Sequence, residues 1–147
     1  MGWIIIFVLS WILFILCADW KKLWPGILGG IYAVIVQIIV DRISISLNLY
    51  TAKGYIIDLL GSGSIFFTLG PVFTMGTLLV QNIPDNRWMR LLNIFVWVGF
   101  FMLMEWLMLS FGYLEYRHWN QLYSLWVDIV VLMNISWVGE NFVKMER

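Results

Sequence analysis

At 147 residues, 62% apolar and 12% charged, the chain has room for one domain but carries half the charge of a water-soluble one, for which about 25% is usual. Nine basic residues balance nine acidic ones, which excludes the basic field of a nucleic-acid-binding protein and leaves lipid as the natural solvent. Its one cysteine, Cys17, excludes an internal disulfide and a cysteine metal cage.

The charges fall in clusters between apolar runs. The first run, residues 3–18, predicts a membrane-spanning helix slightly shorter than the usual ~20 residues. No basic residue precedes it and no A-x-A-like site follows, so it is expected to be retained rather than cleaved. The second predicted helix covers 25–40, with Pro25 in its first turn and Asp41-Arg42 at its end. Residues 43–50 then alternate apolar and polar with period two, the pattern of a strand. A lone strand facing lipid would leave its backbone groups unsatisfied. Residues 43–62 are therefore expected at the water interface, folded back over the bundle, with a continuation of the second helix as the alternative.

Gly61-Ser62-Gly63-Ser64 signals a turn before a third helix over 63–80, which Pro71 should bend or deprive of a hydrogen bond. The fourth helix is predicted over 91–113 and the fifth over 122–142. Trp20, Trp24, Trp88, Tyr113, Tyr116, Trp119 and Tyr123 fall near the proposed ends, as an aromatic belt would. The predicted fold is an all-α integral membrane bundle of about five transmembrane helices, with little outside the bilayer. Lys21, Lys22, Arg87, Arg90, Lys144 and Arg147 gather on one side, against Arg42, Lys53 and Arg117 on the other. That bias puts the N-terminus outside and the C-terminus in the cytoplasm.

Small and polar residues at helical spacing hold bundles together in lipid. Gly26, Gly30, Ala33, Gln37 and Asp41 form such a face on the second helix. Gly63, Gly70, Thr74, Thr77 and Gln81 form one on the third, and Asn134 and Asn141 a third seam on the fifth. Two acids stand apart. An acidic side chain deep in a helix costs about 2.5–3.5 kcal/mol on insertion scales and normally faces the bundle interior or a cavity. On these boundaries Glu105 lies roughly 12 Å, and Asp128 roughly 9 Å, below the outer surface. The two are expected to share an outward-facing pocket with Ser124 and Gln121 on the face of Asp128. Arg117 and His118 would reach down from the connecting loop, and Asp41 and Arg42 end a helix on the same outer side. The bland alternative is that both acids are part of the frame.

No Gly-rich phosphate loop, H-E-x-x-H or G-x-S-x-G motif is present, and no catalytic residue, metal or cofactor is predicted. Three functions follow in order. The first is a non-enzymatic structural or accessory membrane protein. The second is a transporter or channel subunit with a proton, cation or small-ligand site at Glu105 and Asp128. The third is a membrane enzyme using Glu105, Asp128 and His118 on a lipid-phase substrate. Expected partners are the bilayer and either further copies of the chain or a larger membrane protein.

Several short motifs carry a resemblance: Asp19-Trp20 with Trp24-Pro25-Gly26-Ile27-Leu28, Gly70-Pro71-Val72-Phe73, Glu105, and the stretch Gly112-Tyr113-Leu114-Glu115-Tyr116-Arg117-His118-Trp119-Asn120 with Tyr123-Ser124. In these the chain resembles an uncharacterised family of small polytopic membrane proteins of spore-forming Firmicutes. The resemblance implies a multi-pass bacterial membrane protein and no functional residues. Gly26 departs from it, since a more polar residue is expected after the proline.

Overall fold

The computed structural model describes residues 1–145, and the chain is mostly helical, at 75%. Helix α1 (Gly2–Cys17) leads through a 3-10 turn (Trp20–Lys22) into α2 (Leu23–Ser46). Strand β1 (Tyr50–Ala52) precedes α3 (Ile65–Gln81), followed by α4 (Arg87–Ser110), strand β2 (Leu114–Tyr116) and α5 (Gln121–Met145). Three helices, α2 with its leading turn, α4 and α5, are long and apolar enough to cross a membrane; α1 and α3 are apolar but shorter.

The second helix does not stop at Asp41-Arg42. It continues to Ser46, and the alternating Ile43–Ser46 segment is helical. Once a helix is propagating, each further residue gains a hydrogen bond for two fixed dihedrals, which outweighs a four-residue alternation. The stop comes from Asn48, which adopts left-handed geometry (φ 54°). Leu49 N–H donates to Ser44 O and Asn48 N–H to Ile45 O, both at 3.0 Å, the bonding pattern of a Schellman cap. The fourth helix ends the same way, at Ser110 rather than 113. Gly112 takes φ 75°, Tyr113 N–H donates to Met108 O and Gly112 N–H to Leu109 O. Its start moves to Arg87, where the Asn86 side chain accepts from Trp88 N–H at 2.9 Å.

These two reversals lie at the same end of the molecule and deliver β1 and β2 side by side. The strands pair antiparallel, Tyr50 with Tyr116, Thr51 with Glu115 and Ala52 with Leu114. The strand expected within 43–62 therefore shrinks to three residues, and its partner lies 64 residues on. The little sheet is fastened to α1, for Gly2 N–H donates to the Tyr113 hydroxyl at 3.0 Å and Trp3 Nε1 to Lys53 O at 2.8 Å. Together with the loop before α3 it caps one end of the helices.

Helix α3 is not uniform. Pro71, which has no N–H to give the preceding turn, sits in a π-helical turn over Thr68–Val72, and the Thr74 hydroxyl donates to Gly70 O at 2.8 Å. The small-residue faces expected on the second and third helices pack only in part against each other, and Gly63 is not on the third helix at all: it precedes Ile65, in the turn, with φ 102°. Gly26, Gly29, Gly30 and Ala33 of α2 are buried against Thr77, Gln81, Val80 and Gly76 of α3, whereas Gly70 lies against Phe7 of α1. Gln81 also ties the α1–α2 turn, accepting from Asp19 N–H at 3.0 Å. On α5 the buried residues Leu132, Ile135, Ser136 and Gly139 face inward. Asn134 lies off that face and accepts from the Tyr32 hydroxyl at 2.6 Å, joining α5 to α2. Asn141 makes no such seam: it is exposed and donates to Trp137 O of its own helix.

Candidate functional site

Under the cap the helices enclose a cavity of about 110 Å³. Each of three helices brings one acid to it, flanked by residues one turn away on the same face. From α2 come Gln37, Asp41 and Ser44; from α4, Phe101, Glu105 and Met108; from α5, Ser124, Asp128 and Val131. The i, i+4, i+7 spacing in all three is what puts each set on one stripe. The roof is made by Tyr50, Ala52 and Leu114 of the sheet and by Ser62 and Ser64 of the loop; Trp3 and Phe67 close the side. Among the described residues no lysine, arginine or histidine lines it.

The acids are held differently. Asp41, 7% exposed, accepts at Oδ1 from the Tyr50 hydroxyl (2.5 Å) and from Gln37 Nε2 (2.8 Å). Glu105 Oε1 accepts from the Tyr116 hydroxyl and from Ser124 Oγ (2.6 Å), and Ser124 in turn accepts from Trp119 Nε1 at 2.6 Å. Burial, and then the neighbouring Asp41, hold the Tyr50 hydroxyl proton well above a tyrosine's ordinary range. Burial and the bond to Glu105 do the same for Tyr116. Both phenols are thus fixed donors. Asp128 differs, because among the described residues no donor reaches it. Of the three acids it lies furthest from its helix end, and with Gln37, Phe101 and Val131 it also borders a narrow crevice of about 10 Å³ between Ala33, Val72, Gly76, Leu132 and Ile135.

The residues expected at a shared pocket divide. Glu105, Asp128 and Ser124 line the cavity together. Because α4 ends at Ser110, Glu105 is five residues from its helix end, about 7.5 Å, and Asp128 seven from its own, about 10 Å; the order of depth is the reverse of that expected. Gln121, Arg117 and His118 are exposed and do not line the cavity. Strand β2 is the reason: the backbone N–H groups of Arg117 and His118 both donate to Leu49 O, which holds that segment on the outer side of the cap. His118 borders a separate apolar depression with Leu49 and Tyr123.

Two contributors escape the sequence reading: Tyr50 lies in the segment of uncertain shape, and Ser64 in the turn that opens the third helix. Gln37 and Asp41 belong to the small and polar face of the second helix, which reads as packing, with Asp41 also at the outer end of that helix; the structure turns both into the cavity. Comparisons of the chain with protein-family models, curated proteins and solved structures give no match. The family resemblance therefore rests on the short motifs alone.

Proposed function

We propose that the chain is a multi-pass integral membrane protein, with its N-terminus outside and C-terminus in the cytoplasm, that binds a proton or small cation under its cap without catalysing a reaction. Membrane residence is supported by large apolar side chains that face outward along the helices. Ile5, Leu9, Ile12 and Leu16 do so on α1, Ile31, Ile35 and Ile39 on α2, and Phe95 and Leu103 on α4. All five helices are read as embedded, with the two shorter ones matched by tilt of their neighbours or local thinning. A bacterial setting is what the motif resemblance supports.

The binding reading is carried by one observation: three acids, Asp41, Glu105 and Asp128, share a cavity that no basic side chain lines among the described residues. Uncompensated acids in a low-dielectric site favour protons or cations over anions. Beyond Asp128 the space is only a crevice of about 10 Å³ whose walls, apart from Gln37 and Asp128, are apolar, which favours a blind binding site over a conducting pore. Infrared difference spectra of the protein in liposomes test this. Carboxyl bands should change on titration with acid or with cations, and should lose that change in Glu105→Gln with Asp128→Asn. Spectra indifferent to pH and to every cation tried would remove the reading. They would leave a structural role, favoured by the way Asp41 and Glu105 are bonded to their own neighbours.

A further inference from the structure

We infer that the cavity takes a small primary ammonium group on a short carbon chain, its nitrogen on Asp128 and its far end on Ser64. This rests on the cation-binding reading and narrows it to a chemical class.

Two side chains of the cavity lack partners. Asp128 has no donor among the described residues. Ser64, only 3% exposed, lines the roof side, and its hydroxyl has no hydrogen-bond partner among the described residues. Asp128 is half-buried, whereas the Ser64 hydroxyl is a buried polar group of the kind paired almost without exception, so an acid without a donor and an unpaired buried hydroxyl facing one cavity describe the two ends of a missing ligand. The acid end calls for a donor carrying positive charge. The hydroxyl end accepts either a donor or an acceptor.

The rest of the lining selects among cations. A hard metal ion wants about six oxygen ligands. Here the bonded oxygens of Asp41 and Glu105 already take donors from the protein, and among the described residues no three acids, histidines or cysteines are grouped to hold a metal. Much of the remaining wall is aromatic: Trp3, Tyr50, Phe67, Phe101 and Trp119. Aromatic faces suit a cation carried on carbon and offer little to a bare metal. A quaternary ammonium has no N–H for Asp128. The cavity has room for at least three or four waters at about 30 Å³ each, which admits a chain of few heavy atoms such as 2-aminoethanol. The same group is carried by free amino alcohols and by ethanolamine lipid headgroups.

Melting of the purified full chain in detergent tests the inference. 2-Aminoethanol should raise Tm, while ethylene glycol, tetramethylammonium and sodium chloride at matched ionic strength should not. Asp128→Asn should weaken 2-aminoethanol binding by about 10- to 100-fold, the usual effect of losing a charge-assisted hydrogen bond. Its ligand-free Tm should stay near wild type, because Asp128 gives up no protein hydrogen bond. Ser64→Ala should weaken binding several-fold. Native mass spectrometry from bilayers of mixed phosphatidylethanolamine and phosphatidylglycerol separates the sources. Phosphatidylethanolamine retained by the wild type and lost by Asp128→Asn indicates the headgroup; 2-aminoethanol binding without lipid retention indicates a free amine. Equal stabilisation by sodium, tetramethylammonium or ethylene glycol, or none by 2-aminoethanol, overturns the ammonium assignment. The broader cation reading then stands only if the infrared carboxyl bands still respond to protons or metal cations, and falls with it if they do not.

Discussion

The same helices that pack closely at one end of the molecule stand apart at the other. Over the first part of α2 the inward face is Gly26, Gly29, Gly30 and Ala33; one turn later it becomes Gln37, Asp41 and Ser44. Helix α5 shows the same change in reverse, from Ser124 and Asp128 under the cap to Ser136 and Gly139 below. At the closed end Val80 of α3, wholly buried, fits against Gly29 on one side and Gly139 on the other. At the open end no residue this small lines α2, α4 or α5, and the space between them is the acidic cavity. Backbone spacing in lipid is set by side-chain size at the contact. Small residues make a seam, and bulkier polar ones leave room that polar groups then line.

The largest effect is expected from breaking the closed end. A Cβ at Gly76 would lie 2.5 Å from Ala33 Cβ, a methyl fixed to its backbone that cannot turn away, with the Gly29 carbonyl and Gly30 Cα already in contact at 3.4 Å. Overpacking of this kind costs about 1–3 kcal/mol and sometimes more. Gly76→Leu should abolish a monodisperse folded species in gel filtration, and Ala33→Gly should recover only part of it. A Gly76→Leu protein that runs and melts like wild type would mean that the α2–α3 seam is not what fixes the spacing.

The closed end was far more legible in the sequence than the open one, for a physical reason. A seam repeats every three or four residues along one helix, so Gly26, Gly30, Ala33 and Gln37 announce themselves locally. The cavity depends on chain reversals and on pairing across the molecule. Asn48 and Gly112 end their helices through left-handed geometry, and glycine at 112 was readable as a stop that the predicted 91–113 span ran through. The union of β1 with β2 has no local signature in three residues, and without it Arg117 and His118 are easily placed inside instead of outside. Asp41 and Arg42 were read as one charged boundary. In a helix adjacent residues point about 100° apart, so Asp41 enters the cavity while Arg42 stays exposed.

At the open end, Asp41→Ala would leave the Tyr50 hydroxyl and Gln37 amide without their acceptor, at a cost of about 1–3 kcal/mol for a buried unpaired group. The readout specific to this site is alkaline titration followed by tyrosinate absorbance. In the wild type Tyr50 and Tyr116 should stay protonated well above pH 10, since both are raised above the ordinary value of 10.0. For a group whose folded-state pKa is raised, the contribution to stability is complete below the unfolded value and is lost as pH climbs past it. Stability should therefore decline above pH 10. Asp41→Ala removes one of the causes and leaves burial, so Tyr50 should ionise earlier than in the wild type while Tyr116 does not move. An unchanged titration would separate Tyr50 from Asp41 and break the contrast between an open end held by hydrogen bonds and a closed end held by packing.

The smallest effect, and the sharpest control, belongs to Gly99 on α4. It is a helix-interior glycine like those of the seam, yet a Cβ there would meet nothing within 4 Å. Alanine should fit without displacing any group and stabilise the helix by about 0.5–1 kcal/mol, with Tm rising slightly and the tyrosine titration unchanged. If size at a contact governs spacing, glycines should be sensitive only where a neighbour lies against them, and Gly76 and Gly99 mark the two extremes of that rule. A loss of stability in Gly99→Ala that grows with protein concentration in the membrane would place a second copy of the chain against this face. The rule would then hold between molecules as it does within one. A loss independent of concentration would break it, because a glycine without a neighbour would be as sensitive as one inside the seam.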